Sequence, residues 1–382
     1  MAVFITDLAA FLPNEPVPNE EMEKILGMVN QVPSRTRRII LRNNKIHQRH
    51  YALDPQSGQA THTNAQLTAE AVRRLRPYPG FSPADIECLS CGTSSPDQIM
   101  PGHSSMVHGE LGGSPCEVVS TAGICISGMT AFKYAYMHVG MGLSRNAVAA
   151  GSEIASSFMR AQLCGGVDPA KSAALENQPS LSFDADFLRW MLSDGAGAAF
   201  LSGQPASEGR SLRIDWIDVL SFAHELETCM YAGAVKNGDG TLRGWRDFAS
   251  LDEAVRQEAF LIKQDVKMLN HEIVPTAVER TLTRIIAKHD LTPDAIDWYL
   301  PHYSSDYFRQ PIYDHMQAIG FEIPYERWFT NLSTKGNTGA ASIYIILEEL
   351  FHSGRLKPGE RLLCFIPESG RFSICYMLLT VV

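Results

Sequence analysis

The stretches "SPADIECLSCGTSSPD" (82–97) and "TPDAIDWYLPHYSSDY" (292–307) follow one plan. Each opens on a Ser/Thr-Pro helix start, continues with Ile and an acidic residue, and runs through a short apolar strand into a polar loop. The likeness continues downstream. After the first comes "TAGICISGMTAF" (121–132), where Cys125 stands between a β-branched run and a helical pattern. After the second comes "LSTKGNTGAASIYIILEELF" (332–351), a small-residue turn opening another helix. "RNAVAAGSE" (145–153) then pairs with "RLLCFIPESG" (361–370). The three pairs keep a register of roughly 210 residues, which marks an internal duplication.

Strands alternating with helical patterns of about 10–15 residues indicate α/β units with buried sheets. Met129, Phe132, Tyr136 and Val139 share one helical stripe. Ile343, Ile346, Leu347 and Leu350 repeat it, with Gly354 as the terminator. The chain is predicted to divide into halves 1–205 and 206–382, the boundary falling in the polar turn-formers of "LSGQPASEGRS" (201–211). Residues 158–190 match nothing in the second half and are expected to be an insertion.

With 382 residues, 45% apolar and 20% charged, the chain can bury two cores. No run approaches the roughly 18 apolar residues of a membrane span. The N-terminus lacks the basic region and cleavage site of a signal peptide, so a cytoplasmic protein is expected. A net charge of −9 argues against a general nucleic-acid binder. The exception is "RTRRIILRNNK" (35–45), with Arg35, Arg37, Arg38, Arg42 and Lys45. It is either a solvated basic face or a landing patch for an anionic partner, such as a phosphopantetheine carrier or a nucleotide. On the second reading Arg37 and Arg38 are the carrier-binding residues.

Cysteines stand at positions 88, 91, 116, 125, 164, 229, 364 and 375 and are expected to be reduced. Cys88 and Cys91 imitate half a zinc site. On a strand, however, residues three apart point to opposite faces, and no second pair follows, so no metal is expected.

Under the duplicated register Cys125 and Asn337 fall at equivalent points, each at a helix start, and His302 closes a strand of the second copy. Two such halves would bring the three to one cleft. The trio suits thioester chemistry. A helix N-terminus can lower the pKa of a thiol, and a thiolate takes an acyl group from a thioester at little thermodynamic cost. His Nε2–H and Asn Nδ2–H can then both aim at an oxygen on which charge develops. Each residue also has an ordinary reading, as a small buried hydrophobe, a hydrogen-bonded strand end and a turn residue. Their joint, symmetric placement favours catalysis.

These segments resemble the ketoacyl-ACP synthase III branch of the thiolase superfamily. "EVVSTAGICISGMTAFKYA" is similar to its nucleophile segment, "LPHYSSDYF" to its histidine segment and "KGNTGAASI" to its asparagine segment; "LSCGTSSPDQIMPG" and "LSDGAGAAFL" match two further signatures. The likeness runs from about residue 3 to 380. It implies an α/β thiolase fold with a five-layered αβαβα core, Cys125 as acyl carrier, and His302 with Asn337 as donors to the enolate. It also implies an oxyanion hole made by the N–H groups of Cys125 and Gly370. No cofactor is implied beyond the phosphopantetheine of an acyl carrier protein, or CoA, that carries the acyl group. A homodimer, or a dimer with a paralogue, is implied as well.

Three departures bear on substrate. The nucleophile segment is one residue longer than the family's. The basic stretch 35–45 replaces the Trp and Arg that the family sets against the CoA nucleotide, which favours delivery by a carrier protein. In "PESGRFS" (367–373), Glu368 stands where housekeeping members carry an aromatic residue. A carboxylate there would repel a malonyl group, yet could deprotonate the acidic carbon of a β-ketoacyl thioester. That pattern resembles specialised ketosynthases that join two β-ketoacyl thioesters into cyclohexanedione precursors of dialkylresorcinols. Glu368 could instead pair with Arg371. The alternatives are an ordinary decarboxylating synthase of fatty-acid initiation and an acyltransferase on the same fold. A hydrolase or a non-catalytic partner subunit fits the motifs less well.

Overall fold

The computed structural model describes residues 1–31, 33–34, 36–161 and 187–382. Most of the expected insertion 158–190, with Cys164, and also Arg35, lie outside the described residues. Nine strands form the main sheet: β1 (Phe4–Phe11), β2 (Cys88–Thr93), β3 (Glu117–Ala122), β4 (Asn146–Glu153), β5 (Gly195–Ser202), β6 (Leu212–Ser221), β7 (Trp298–Pro301), β8 (Arg361–Glu368) and β9 (Ser373–Val381). Their order is β7-β8-β9-β6-β1-β5-β4-β2-β3. The sheet is nearly cut in two between β6 and β1, which pair only at Phe4–Arg213 and Ile5–Leu212.

On either side of that junction the order and sense of the strands are the same. β1-β5-β4-β2-β3 on one side answers β6-β9-β8-β7 on the other. β2 runs parallel to β4 as β7 does to β8, and the hairpin-like pair β4/β5 is antiparallel like β8/β9. Where β3 lies beside β2, Trp328 makes a single parallel bridge to Tyr299 of β7.

Helices Cys125–Gly140 and Ser342–His352 lie between the two parts of the sheet. The first touches β2–β5 on one side and β8 and β9 on the other. Helices Asn64–Arg73 and His103–Leu111 cover one outer face, and helix Val266–Val274 with the π-helical turn Pro275–Leu282 covers the other. These are the five layers of the thiolase fold. Central placement explains why the two middle helices are so apolar. Met129, Phe132 and Val139 are buried, as are Ile343, Ile346, Leu347 and Leu350, each such side chain contributing roughly 1.5–3 kcal/mol. Gly354 takes φ +74° just past the second helix, a conformation that favours glycine.

Cys88 and Cys91 are both buried in β2, and the described residues hold no cluster suited to a metal ion. No described helix is long and apolar enough to cross a membrane.

Candidate active site

Cys125 is the first residue of its helix. The turn before it is tied down: Ser127 Oγ donates to Ile124 O at 2.7 Å, and Thr121 Oγ1 of β3 donates to Ser127 O at 2.7 Å. Gly123 enters this turn at φ +147°. The helix start also lies directly on β2, since a Cβ on Gly92 would fall 2.2 Å from Ser127 O.

His302 follows β7, is buried, and donates its backbone N–H to Phe365 O of β8 at 2.8 Å. Asn337 is fixed through its backbone by the segment leading into β5. Its N–H donates to Met191 O at 3.0 Å, and its carbonyl accepts from Ser193 N–H at 2.8 Å. Its side-chain Oδ1 accepts from Gly339 N–H at 2.9 Å, which leaves Nδ2 as the donor end. Asn337 stands a short 3-10 turn (Gly339–Ala341) ahead of the Ser342 helix, slightly earlier than the helix start expected from the sequence.

Cys125, His302 and Asn337 line one cavity with about 890 Å³ of empty space, part of it open to solvent. Beyond them its wall is mostly apolar, with Leu188, Met191, Met230, Ile273, Phe308 and Phe365 among its residues, and Ser94, Glu153 and Gln264 among its polar ones. A long aliphatic group is the chemistry such a wall accepts.

Electrostatics correct one expectation. The helix N-terminus does not make Cys125 acidic: burial pushes its thiol up, and the nearby Glu368 and Glu153 carboxylates push it further. Cys125 counts as half-buried because its surface opens on the cavity, while protein surrounds it on the other sides. Burial pushes His302 down to about 4, so its imidazole is neutral at pH 7. A neutral imidazole can donate Nε2–H without bringing a full charge into the site.

Glu368, the last residue of β8, is buried, and burial pushes it up to about 7 against hydrogen bonds from the backbone of Gly370, Ser373 and Arg371. Its Oε1 accepts the Gly370 N–H at 2.5 Å and its Oε2 the Ser373 N–H at 3.3 Å. The donor expected in the oxyanion hole is therefore engaged by the Glu368 carboxylate. Gly370 faces the residue before the nucleophile, since an added Cβ would lie 2.8 Å from Ile124 Cδ1. Arg371 turns away, donating Nε to Leu226 O at 3.1 Å, and no ion pair joins it to Glu368 among the described residues.

The basic stretch divides. Arg37 turns inward: Nη1 meets Glu23 Oε2 at 3.2 Å, Nη2 donates to Asn19 O at 3.0 Å, and the guanidinium lies 5.4 Å from the Trp190 ring centre. It packs the helix Arg37–Asn44 against the body, which does not fit a carrier-binding role. Arg38 and Arg42 are exposed. Reversing their charge, Arg38→Glu with Arg42→Glu, is expected to raise the apparent KM for carrier-bound acyl groups and leave small thioester mimics unaffected. The difference should fade with salt, because exposed charges are screened over about 10 Å at 0.1 M. Equal loss on both substrate types in steady-state kinetics would count against the patch.

Sequence reasoning missed Glu153, the last residue of β4, which also lines the cavity. Burial pushes it up to about 7 against hydrogen bonds from Ser94, Ser95 and Ala340. The signal was present in the paired segments "RNAVAAGSE" and "RLLCFIPESG", which end their strands on Glu153 and Glu368.

Residues 286–367 match the family of 3-oxoacyl-[acyl-carrier-protein] synthase III C-terminal domains. The β-ketoacyl-[acyl-carrier-protein] synthase III of Microcystis aeruginosa is 23% identical over 367 residues, spanning 94% of this chain and 92% of its own length. Among solved structures, AbyA1, a tetronic acid condensing enzyme, superposes with a TM-score of 0.76 at 19% identity over 99% of both chains. OleA of Xanthomonas campestris, solved with bound lauric acid and lauroyl-CoA, does so with a TM-score of 0.73 at 18% identity, over 100% of this chain and 99% of its own. Over nearly its whole length the chain is thus similar to ketoacyl-ACP synthase III proteins, and it shares their fold.

Proposed function

We propose that this protein is a ketosynthase that forms carbon–carbon bonds between acyl thioesters by Claisen-type condensation through acyl-Cys125. The observation that carries the reading is the meeting of Cys125, His302 and Asn337 on one cavity whose remaining wall is mostly apolar. In the first half-reaction Cys125 Sγ attacks the thioester carbonyl. Its proton leaves to a base in the cavity, and the carrier thiolate departs and takes up a proton. In the second, a carbanion forms on the incoming thioester and attacks the acyl-Cys125 carbonyl, expelling the Cys125 sulfur. His302 Nε2–H and Asn337 Nδ2–H stabilise the enolate oxygen of that carbanion.

Within this class we assign a β-ketoacyl thioester as the carbanion source, with Glu368 as base, giving a cyclohexanedione precursor of a dialkylresorcinol. The support is the buried carboxylate that ends β8 near the nucleophile. The acyl groups would come on an acyl carrier protein or CoA. A homodimer would pair the open edge of the sheet at β3, where every residue of Glu117–Ala122 is exposed or half-buried.

Intact-protein mass spectrometry with a panel of acyl-carrier and acyl-CoA thioesters tests the reading, together with analysis of products. His302→Ala and Asn337→Ala are expected to form acyl-Cys125 at near wild-type rates and to slow condensation by about 10²–10³. Free acid as the sole product, or variants that condense normally but fail to acylate, would overturn it.

A further inference from the structure

Glu153 is a buried carboxylate that the proposed reaction does not use, and every donor around it belongs to a segment of the active site. Oε1 accepts Ser94 N–H at 3.1 Å and Ala340 N–H at 3.3 Å, while Oε2 accepts Ser94 Oγ–H at 2.6 Å and Ser95 Oγ–H at 2.8 Å. Ser94 lines the cavity beside Cys125, and Ala340 belongs to the turn that presents Asn337. In that turn the two consecutive N–H groups are divided: Gly339 donates to Asn337 Oδ1 and Ala340 donates to Glu153.

The fit around the turn is close. Gly339 takes φ +51°, and a Cβ on it would fall 2.7 Å from Glu153 Cγ. The Ala340 carbonyl sits between two glycines, for a Cβ on Gly128 would fall 2.2 Å from it and one on Gly151 2.3 Å from it. Gly128 is on the Cys125 helix and Gly151 on β4. The turn is thus gripped from both sides, by glycine contacts at its carbonyl and by Glu153 at its N–H.

We propose that Glu153 is a positioning residue for Asn337. By holding the Ala340 N–H, it sets the turn from which Asn337 Nδ2–H is aimed at the reacting oxygen. The role rests on the ketosynthase reading, because it acts through a donor needed only in condensation. Glu153 and Glu368 end the equivalent strands of the two halves, and on this assignment the duplicated carboxylates have diverged. One orders the donor turn, the other borders the nucleophile.

The test uses the full chain and single-turnover kinetics of the two half-reactions. Glu153→Ala is expected to slow condensation about 10–100-fold, the scale of a small misplacement of a catalytic group, with acylation of Cys125 slowed less than about twofold, since losing a carboxylate that pushes the thiol up can only favour the thiolate. Glu153→Gln should restore most of the rate, since its Oε1 still accepts from Ala340 and its amide can donate to the serine hydroxyls. Hydrogen exchange at 337–341 should speed up in Glu153→Ala and stay near wild type in Glu153→Gln. Should Glu153→Ala not fold, Glu153→Asp, too short to span both partners, is expected to show the same selective loss.

Parallel loss of both half-reactions would overturn the proposal, as would condensation within about twofold of wild type or a Gln variant no better than Ala. If wild type itself acylates with none of the thioesters, the ketosynthase reading fails. The exchange measurement then decides alone, and unchanged exchange at 337–341 in Glu153→Ala would reject the positioning role.

Discussion

Cys125→Ala is expected to form no acyl adduct with any thioester and to lose coupled product by about 10⁴-fold or more, because the covalent route disappears with the sulfur. Peptide mapping of the wild-type adduct should place the acyl group on Cys125 and on none of the other cysteines. Cys88, Cys91, Cys229, Cys364 and Cys375 are all buried, most of them on strands that no substrate can enter. The resting thiol should also be poorly ionised. Burial and the two carboxylates push it up, so the thiolate fraction, and with it alkylation by a small reagent, should still be rising at pH 9. A plateau below pH 7 would instead show a thiolate held at rest by a protonated His302. Turnover by Cys125→Ala at the wild-type rate would remove Cys125 from the mechanism.

Cys125, His302 and Asn337 were legible in the sequence because each sits in a short local pattern and the duplication supplies the relation between them. A register of roughly 210 residues is enough to say that the Cys125 and Asn337 segments face one another. What was not legible depends on contacts between distant segments. Arg37 reads as part of a basic run, and only Trp190 and Glu23, packed against it, turn it inward. The Cys125 thiol reads as activated by its helix, yet β4 and β8 each bring a carboxylate near it. Glu153 reads as an ordinary strand end until Ser94, Ser95 and Ala340 are seen to converge on it. Glu368 and Arg371, three residues apart in sequence, read as a possible ion pair. The β8–β9 turn parts them, sending Arg371 to Leu226 O.

Glu368→Gln is expected to acylate Cys125 at least as fast as wild type and then to accumulate the acyl-enzyme, with coupling slowed by about 10²–10⁴, the usual cost of losing a general base. Glutamine keeps the shape and its Oε1 can still accept the Gly370 N–H, so the basicity is removed at the cost of only the long Ser373 hydrogen bond. The pH dependence follows from the same carboxylate. Burial holds it near 7 in the resting site, so wild-type coupling measured from preloaded acyl-Cys125, where the Gly370 donor is withdrawn, should rise with pH through a step at or above about 7, as the proton leaves, and then level. The Gln variant should lack that step, although Glu153 and His302, which line the cavity, remain in it. On the proposed reading, the hydrogen bond at 2.5 Å from Gly370 N–H to Glu368 would couple the two half-reactions. That N–H stabilises the ionised carboxylate as long as it points there. When the oxygen of acyl-Cys125 takes the N–H, Glu368 loses a donor that favoured its charge, and its affinity for a proton rises. The base is then strongest once the acyl group is in place, and before that it is restrained from acting on a β-ketoacyl thioester with no acyl partner to attack. Normal turnover by Glu368→Gln, or a clear preference of wild type for malonyl over β-ketoacyl acceptors in direct competition, would return the site to an ordinary decarboxylating synthase.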